Sequence, residues 1–419
     1  MAHDLFSNIM QKDAPTTSEW EAEAACRQIA ALCPPLDAEH VPLSQALGRR
    51  LRETVRATED LPPFDRSAMD GYAIRHNDPA TRFTVVDRLR AGDWRPRPLQ
   101  PGQAVAIATG AALPDTGLQV VPRELVREEG DTIELLERPR DDHIRHRGDD
   151  ARAGDVLVPE GTLLQPGTLA LLASLGHARP RVTRRPVVWH LVTGNELVPP
   201  EQSPGPGQIR DSNSLLVRTF LEARGIPPAQ WRLPEDETAM RELLQPLGTG
   251  TVAVDLLLVS GGASVGPHDF TRRILEECGY EIVISRVRAR PGRPLIVARR
   301  GSSLAFGLPG NPLAHFVCLH LYVNSALRAW DGAPHSTPAW FTGRLAHGLH
   351  TEPGRYPTFW PARWTFDAEG RAEVQPLRWQ SSGDLTPLAT ANALLRLPAR
   401  PAASAAGSPV SFLPLHLEP

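Results

Sequence analysis

Apolar residues recur at helical spacing across residues 17–32, and Cys33-Pro34-Pro35 then stops the pattern, which predicts an N-terminal helix. The texture changes over residues 55–150. Short β-type runs at 83–86, 104–107 and 132–136 alternate with Gly, Pro and Asp, the pattern of a small all-β unit. A strand at Val156-Leu157-Val158 and a helix over about 165–175, closed by Gly176, follow. From Pro186 to about Trp330 strands and helices alternate. Strands are predicted at 187–193, 255–259, 295–298 and 304–308, and helices at 211–224, 270–278 and 312–330. Alternation of this kind means βαβ units on a largely parallel sheet. Residues 333–419 return to short strands and turns, a small β module.

Two glycine-rich signals fall where strands of that sheet end. Residues 256–269 read LLLVSGGASVGPHD, so an apolar run gives way to Ser260, Gly261, Gly262, Ser264 and Gly266 before Asp269. Gly307-Leu308-Pro309-Gly310-Asn311-Pro312 closes a later strand, and a basic stretch with Arg286, Arg290 and Arg293 lies between the two signals. Ligands of open α/β sheets bind at the carboxyl ends of the strands. Glycine lets backbone N–H groups approach an anion closely, and a helix N-terminus favours negative charge. The combination predicts a pocket for a phosphorylated ligand, with Asp269 serving a metal ion or acid–base chemistry.

At 419 residues the chain is long enough for two to four domains. Its 41% hydrophobic and 22% charged residues suit a soluble globular protein, and no apolar run nears the ~20 residues that cross a bilayer. The first residues, MAHDLFSNIMQKD, do not form a secretory signal. A net charge of −3 argues against a nucleic-acid binder. Cys26, Cys33, Cys278 and Cys318 form no Cys-x-x-Cys pair, so they read as small buried hydrophobes in a reducing cytoplasm. Of 45 basic residues only Lys12 is a lysine.

With these pieces placed, the chain resembles the molybdopterin molybdenumtransferase family, which includes the C-terminal domain of gephyrin. The resemblance rests on the run from Leu61 to Ala73 (LPPFDRSAMDGYA), on Thr109-Gly110-Ala111-Ala112-Leu113-Pro114, and on Arg147-Gly148-Asp149-Asp150. Thr193-Gly194-Asn195-Glu196-Leu197, the Ser260 loop, Leu308-Pro309-Gly310-Asn311-Pro312 and Ala391-Asn392-Ala393-Leu394-Leu395 follow in family order. It implies an α/β multidomain subunit: a discontinuous α+β dimerisation domain (1–54 and 150–185), an inserted β-rich domain (55–149), a doubly wound, mostly parallel α/β/α molybdopterin-binding domain (186–332) and a C-terminal β module (333–419). It also implies a cytoplasmic homodimer that joins molybdate to adenylylated molybdopterin and releases AMP, assisted by Mg²⁺. The molybdopterin adenylyltransferase is an implied partner; nucleic acid and membrane are not.

Carried over residue by residue, the resemblance gives Asp269, Glu196, Glu235 and Asp236 to the metal or the pyrophosphate. Asp70, Thr109 and Asp150 would complete the cleft from the neighbouring subunit. The Ser260–Gly266 loop and Pro309-Gly310-Asn311 would cradle phosphates, and Arg286, Arg290, Arg293 and Ser382 would bind anions, molybdate among them. Plainer readings stand beside these. Asp269 suits a helix N-cap, Glu196 and Asp150 solvated loops, and Asp70-Gly71 a turn. Asp141, Asp142, His143 and His146 superficially suggest a metal site but read as a solvated connection.

The chain departs from the family pattern in places. Arginines stand where lysines are usual, Asn195 replaces an aspartate, Glu235 replaces the first of paired aspartates, and Pro361 replaces an arginine; Arg363 lies two residues on. Arginine grips oxyanions bidentately, so anion binding survives the first change. The departures leave open a molybdopterin-binding scaffold with reduced or lost turnover. A nucleotide-pyrophosphate hydrolase or adenylyltransferase on the same binding domain is a further alternative.

Overall fold

The computed structural model describes residues 19–234, 236–248, 251–261, 270–350, 354–399 and 403–415. They form two compact units. One comprises Val41–Leu47 and Leu51–Pro180; the other holds the remaining described residues.

The larger unit is built on a six-stranded sheet. Its elements in chain order are β1 (Val188–Thr193), α1 (Asn213–Glu222), β2 (Ala229–Leu233), α2 (Glu237–Gly248), β3 (Leu256–Ser260), α3 (Phe270–Glu277), β4 (Glu281–Ile284), β5 (Ile296–Arg300), β6 (Ser303–Leu308), α4 (Pro312–Cys318) and α5 (Asn324–Trp330). The sheet order is β2-β1-β3-β6-β5-β4. β2, β1, β3 and β6 run parallel, and β5 is antiparallel to both its neighbours.

Why the sheet is buried on both faces is visible in β3. Leu256 and Leu258 join the core on one face, with Val217, Phe220 and Leu221 of α1. Leu257 and Val259 join the other, with Met240, Leu244 and Leu247 of α2 and Ile274 and Leu275 of α3. Successive strand side chains alternate sides, so a strand apolar at every position needs helices on both. The doubly wound α/β fold expected from the sequence is therefore present. The long helix expected over 312–330 is also continuous in helical character, but Leu319–Val323 forms a π-helical turn between α4 and α5.

Two details differ from expectation. The N-terminal helix begins at Ala22, not near 17, because Trp20–Glu21 adds as a short parallel strand to Val287–Arg288. The polar stretch between α1 and β3, given no element from sequence, holds β2 and α2. Pro246 lies within α2 and conceals it, although Met240, Leu244 and Leu247 carry a clear helical period.

Residues 341–414 supply a closed five-stranded barrel: Phe341–Leu345, Ala372–Pro376, Thr358–Phe366, Ala393–Leu397 and Pro409–Pro414. The outward-facing Phe359 packs into the core shared with the α/β sheet, while Ala362 and Trp364 fill the barrel. In the smaller unit, six strands order as Leu118–Pro122, Gly71–Arg75, Gln103–Ile107, Arg82–Leu89, Thr132–Leu135 and Val126–Glu129, with the helix Pro166–Ser174 further along the chain.

Among the described residues no helix is long and apolar enough to cross a membrane. All four cysteines are free. Burial pushes the Cys26 thiol up to about 12 and raises Cys33 and Cys318 as well, so these thiols stay protonated and pack as hydrophobes.

Candidate active site

Four adjacent parallel strands end at one level. Thr193 pairs with Leu233 of β2, Val192 with Ser260 of β3, and Ser260 in turn with Leu308 of β6. β1 connects to β2 on one side, and the chain then crosses to β3 on the other, so the sheet reverses winding direction between β1 and β3. A crevice opens at such a switch point. Glu196, Asp236, Gly261 and Pro309-Gly310-Asn311 all follow these strand ends directly.

Gly261 adopts φ +95°, and a Cβ there would be driven into the Thr193 carbonyl oxygen. Only glycine meets both demands, so the β1 and β3 ends close tightly at the switch point. The Gly261 N–H points toward the Leu308 carbonyl at 3.4 Å, which draws in the third strand end. Gly262, Ser264, Gly266 and Asp269 of this loop, and Glu235, lie outside the described residues.

Below the rim, a chain of polar side chains fixes Ser260. The Gln230 amide nitrogen donates to the Ser214 carbonyl (2.9 Å), and its oxygen accepts from Arg218 Nε (2.7 Å). With the amide so oriented, the same nitrogen donates to His190 Nδ1 at 2.9 Å. His190 therefore carries its proton on Nε2 and donates it to Ser260 Oγ at 2.7 Å. Burial, with His315 nearby, pushes His190 down to about 3, which keeps the imidazole neutral. The polar interruption of an apolar strand, Val188-Trp189-His190-Leu191-Val192, was the sequence signal for this chain, and the sequence reading passed over it.

The helix N-termini of α1 and α4 also face this end of the sheet. Asn213 Nδ2 donates to the Gly310 carbonyl at 2.7 Å and ties the two together. Asp211 precedes α1, accepts from the Ser214 N–H and hydroxyl, and pairs with Arg232 at 3.0 Å. Burial alone would raise the Asp211 pKa, but these partners outweigh it and hold it below the ordinary carboxylate value. Asp236 Oδ1 accepts the Thr238 N–H at 2.8 Å and so caps α2. The Glu196 carboxylate folds back over Gly194, where an added Cβ would meet its oxygens at 2.8 and 2.9 Å.

The C-terminal barrel reaches the same rim through one loop. Asn311 Nδ2 donates to Ser382 Oγ at 2.8 Å, and the Leu313 N–H donates to the Ser382 carbonyl at 3.0 Å. The Arg290 guanidinium lies 5.7 Å from the centroid of Trp379, three residues before Ser382. One loop thus contacts both Arg290 and the Pro309–Asn311 turn. Arg293 pairs instead with Glu19, and the Arg286 carbonyl accepts the Trp20 N–H at 3.0 Å. Neither Glu19 nor Trp379 was singled out from sequence. Pro361 is buried in the strand Thr358–Phe366, and its carbonyl accepts from Leu377 at the root of the Ser382 loop; Arg363, further along, is exposed.

Asp70, Thr109 and Asp150 belong to the smaller unit. Thr109 donates to Asp70 Oδ1 from its N–H (2.7 Å) and its hydroxyl (2.8 Å), which lowers the Asp70 pKa. Asp150 pairs with Arg145. His146 bonds Asp142 at 2.9 Å and lies 3.6 Å from Asp65. Among the described residues no three His, Cys, Asp or Glu groups converge as a metal cage.

Comparisons with known proteins match the chain in three stretches. Residues 20–176 match the family model described as MoeA N-terminal region (domain I and II). Residues 189–329 match the probable molybdopterin binding domain, and 342–415 the MoeA C-terminal region (domain IV). The molybdopterin molybdenumtransferase of Bacillus subtilis (strain 168) is 35% identical over 381 residues, 86% of each chain. That of Nostoc sp. (strain PCC 7120) is 35% identical over 395 residues, covering 91% of this chain and 89% of the relative. A solved molybdopterin biosynthesis MoeA protein of Pyrococcus horikoshii is 26% identical with a TM-score of 0.77, covering 95% of this chain and all of that one.

Proposed function

The chain belongs to the molybdopterin molybdenumtransferase family, and from that premise we propose that it inserts molybdate into adenylylated molybdopterin with release of AMP, a step of molybdenum cofactor biosynthesis. The observation that carries this reading is the common level of the β2, β1, β3 and β6 carboxyl ends. Around that level stand the residue types the reaction needs: carboxylates, glycine N–H groups, a serine and arginines.

In this mechanism backbone N–H groups of the Ser260–Gly266 loop and of Gly310 and Asn311 hold the pyrophosphate. His190 holds the Ser260 hydroxyl by donating to its oxygen, which leaves the serine proton available to an anionic oxygen. Arg290 and Ser382 receive molybdate, brought to the rim by the loop that carries Trp379. Arg293 joins them on release from Glu19, and Arg286 adds positive charge nearby. Glu196 and Asp236 form an oxygen-only donor pair on adjacent strand ends, which suits a hard divalent cation, and Asp269 and Glu235 complete the set we assign to Mg²⁺. Held there, such an ion would supply charge neutralisation at the phosphates. Catalysis is otherwise positioning and electrostatic stabilisation by groups already in place.

The finer assignments are part of the same proposal. The enzyme works as a cytoplasmic homodimer of subunits divided at 1–54 with 150–185, 55–149, 186–332 and 333–419. Asp70, Thr109 and Asp150 complete the site from the second subunit, and the adenylyltransferase hands over the substrate. The test is AMP release by purified protein supplied with adenylylated molybdopterin, molybdate and Mg²⁺. Molybdate-dependent AMP is expected, lost on chelation of the cation. Substrate binding without any AMP would overturn the reading in favour of a scaffold, which Pro361 and Asn195 favour.

A further inference from the structure

At the opposite end of the sheet from the rim, a cavity of about 500 Å³ opens before β1 and behind the C-terminus of α1. Its walls include Arg185, Arg224 and Arg328, together with Asp331. Among the described residues none of these three arginines forms an ion pair with a carboxylate. Arg185 donates to the Arg224 carbonyl, Arg224 to the Phe220 carbonyl (2.6 Å), and Arg328 twice to the His335 carbonyl (3.0 and 2.7 Å). Neutral carbonyls thus take one or two of the five donors on each guanidinium and cancel none of the charge. Arg49 and Arg184, also in the wall, are already paired with Glu39 and Asp255.

The balance of charge decides what this cavity is for. Asp331 is shared with Arg50 at 3.3 Å, and the C-terminal dipole of α1 offers roughly half a negative charge. Three cations therefore face little more than one anion. Burial lowers the pKa of Arg185 and Arg328 and takes Arg224 to about 10, with like-charged neighbours adding to each shift. Partly desolvated, mutually repelling charges are costly unless something neutralises them.

The rest of the wall is mainly apolar, with Ile226, Leu327, Phe341, Leu413 and Leu415, and Thr183, His320 and Asn324 are its polar members. Phe341 is 49% exposed, a large apolar ring left uncovered at the mouth. The cavity also lies against the π-helical turn, through His320. π-Bulges inside α-helices are frequent at functional sites.

We propose that this cavity is a second ligand site, separate from the strand-end rim, for a phosphorylated heterocycle of mononucleotide size. Its phosphates would lie among Arg185, Arg224 and Arg328 and its ring against Phe341 and the leucines. A pyrophosphate group brings two to three negative charges, matching the surplus, and the volume falls within the 300–1,000 Å³ range of small-molecule pockets. Arginine is the side chain suited to bidentate grip on phosphate oxygens.

Calorimetric titration of the full chain with ADP, and separately with inorganic pyrophosphate, tests this. ADP binding is expected to weaken at least tenfold in Arg185→Gln and Arg328→Gln, and to weaken as salt is raised. Any ADP that binds at the strand-end rim is the part that Asn311→Ala removes, and the arginine-dependent part should persist in that variant. Phe341→Ala, at a half-exposed position and with a circular-dichroism spectrum matching wild type, should weaken ADP and spare pyrophosphate. Absence of ADP binding at millimolar concentration overturns the proposal. So does binding that the arginine variants leave unchanged or that Asn311→Ala abolishes. Equal loss of both ligands in Phe341→Ala overturns the assignment of the ring wall.

Discussion

Two histidines buried under the rim give the fold a pH dependence whose sign follows from their environment. Burial holds His190 down to about 3 and His315 to about 4, both far below the ordinary value near 6.5. Above pH 6.5 both are neutral folded and unfolded, and the stability they contribute is fully present. As pH falls below 6.5 the unfolded chain takes up protons that the folded one refuses, so stability is lost until the folded values are reached. His146 acts in the opposite sense, because its bond to Asp142 raises its pKa and favours the fold at low pH. The cleanest measurement is therefore a difference. Urea unfolding of wild type and His315→Gln should diverge from pH 6 to 5, with wild type losing up to about 1.4 kcal/mol per pH unit more than the variant. Parallel pH profiles would show that His315 is not held neutral.

At the scale of single elements, the close meeting of β1 and β3 predicts the fate of Gly261→Ala. An alanine must hold φ near +95° and displace the Thr193 carbonyl, so the strand ends separate. About 2–3 kcal/mol of stability should be lost, with weaker substrate binding, on chemical denaturation and titration. A variant as stable as wild type would show that these strand ends are looser than described. The barrel strand carries a second prediction. Pro361 stands beside the Ser382 loop, whereas Arg363 is displaced by about 7 Å of strand. Pro361→Arg should lower the molybdate concentration needed for half-maximal AMP release about tenfold, one charge-assisted hydrogen bond. Molybdate dependence identical to wild type would mean that the chain has found another cation for that role.

These same elements show how far the sequence could be read. β3, β6 and the α4–α5 run were legible because their apolar residues are continuous and their ends carry Gly or Pro. α2 was not, since Pro246 and its polar face masked a valid helical period. The strand Trp20–Glu21 could not be read at all, because two residues acquire strand character only by pairing with Val287–Arg288. At the rim, the glycines, Asn311 and Ser382 were readable as types in a pattern. Their partners were not: Asn213 on Gly310, Gln230 on His190 and Trp379 over Arg290 join positions 40 to nearly 100 residues apart.

For the whole molecule, the proposed reaction divides its machinery between the two compact units. The rim, with Ser382 and Arg290, belongs to the larger; Asp70 and Thr109, locked together by two hydrogen bonds, belong to the smaller. If the second group serves the partner's site in a homodimer, a subunit lacking Asp70 and a subunit lacking Ser382 are defective in different halves of one site. Pairing them across a two-fold axis leaves one site with both defects and one with neither. Asp70→Ala and Ser382→Ala proteins, each inactive alone, should therefore recover activity after mixing and subunit exchange. Random exchange makes half the dimers mixed, each with one intact site of two, so recovery should approach about a quarter of the wild-type rate per subunit. Failure to recover, with exchange verified by differently tagged subunits, would place Asp70 in service of its own chain's site or of none.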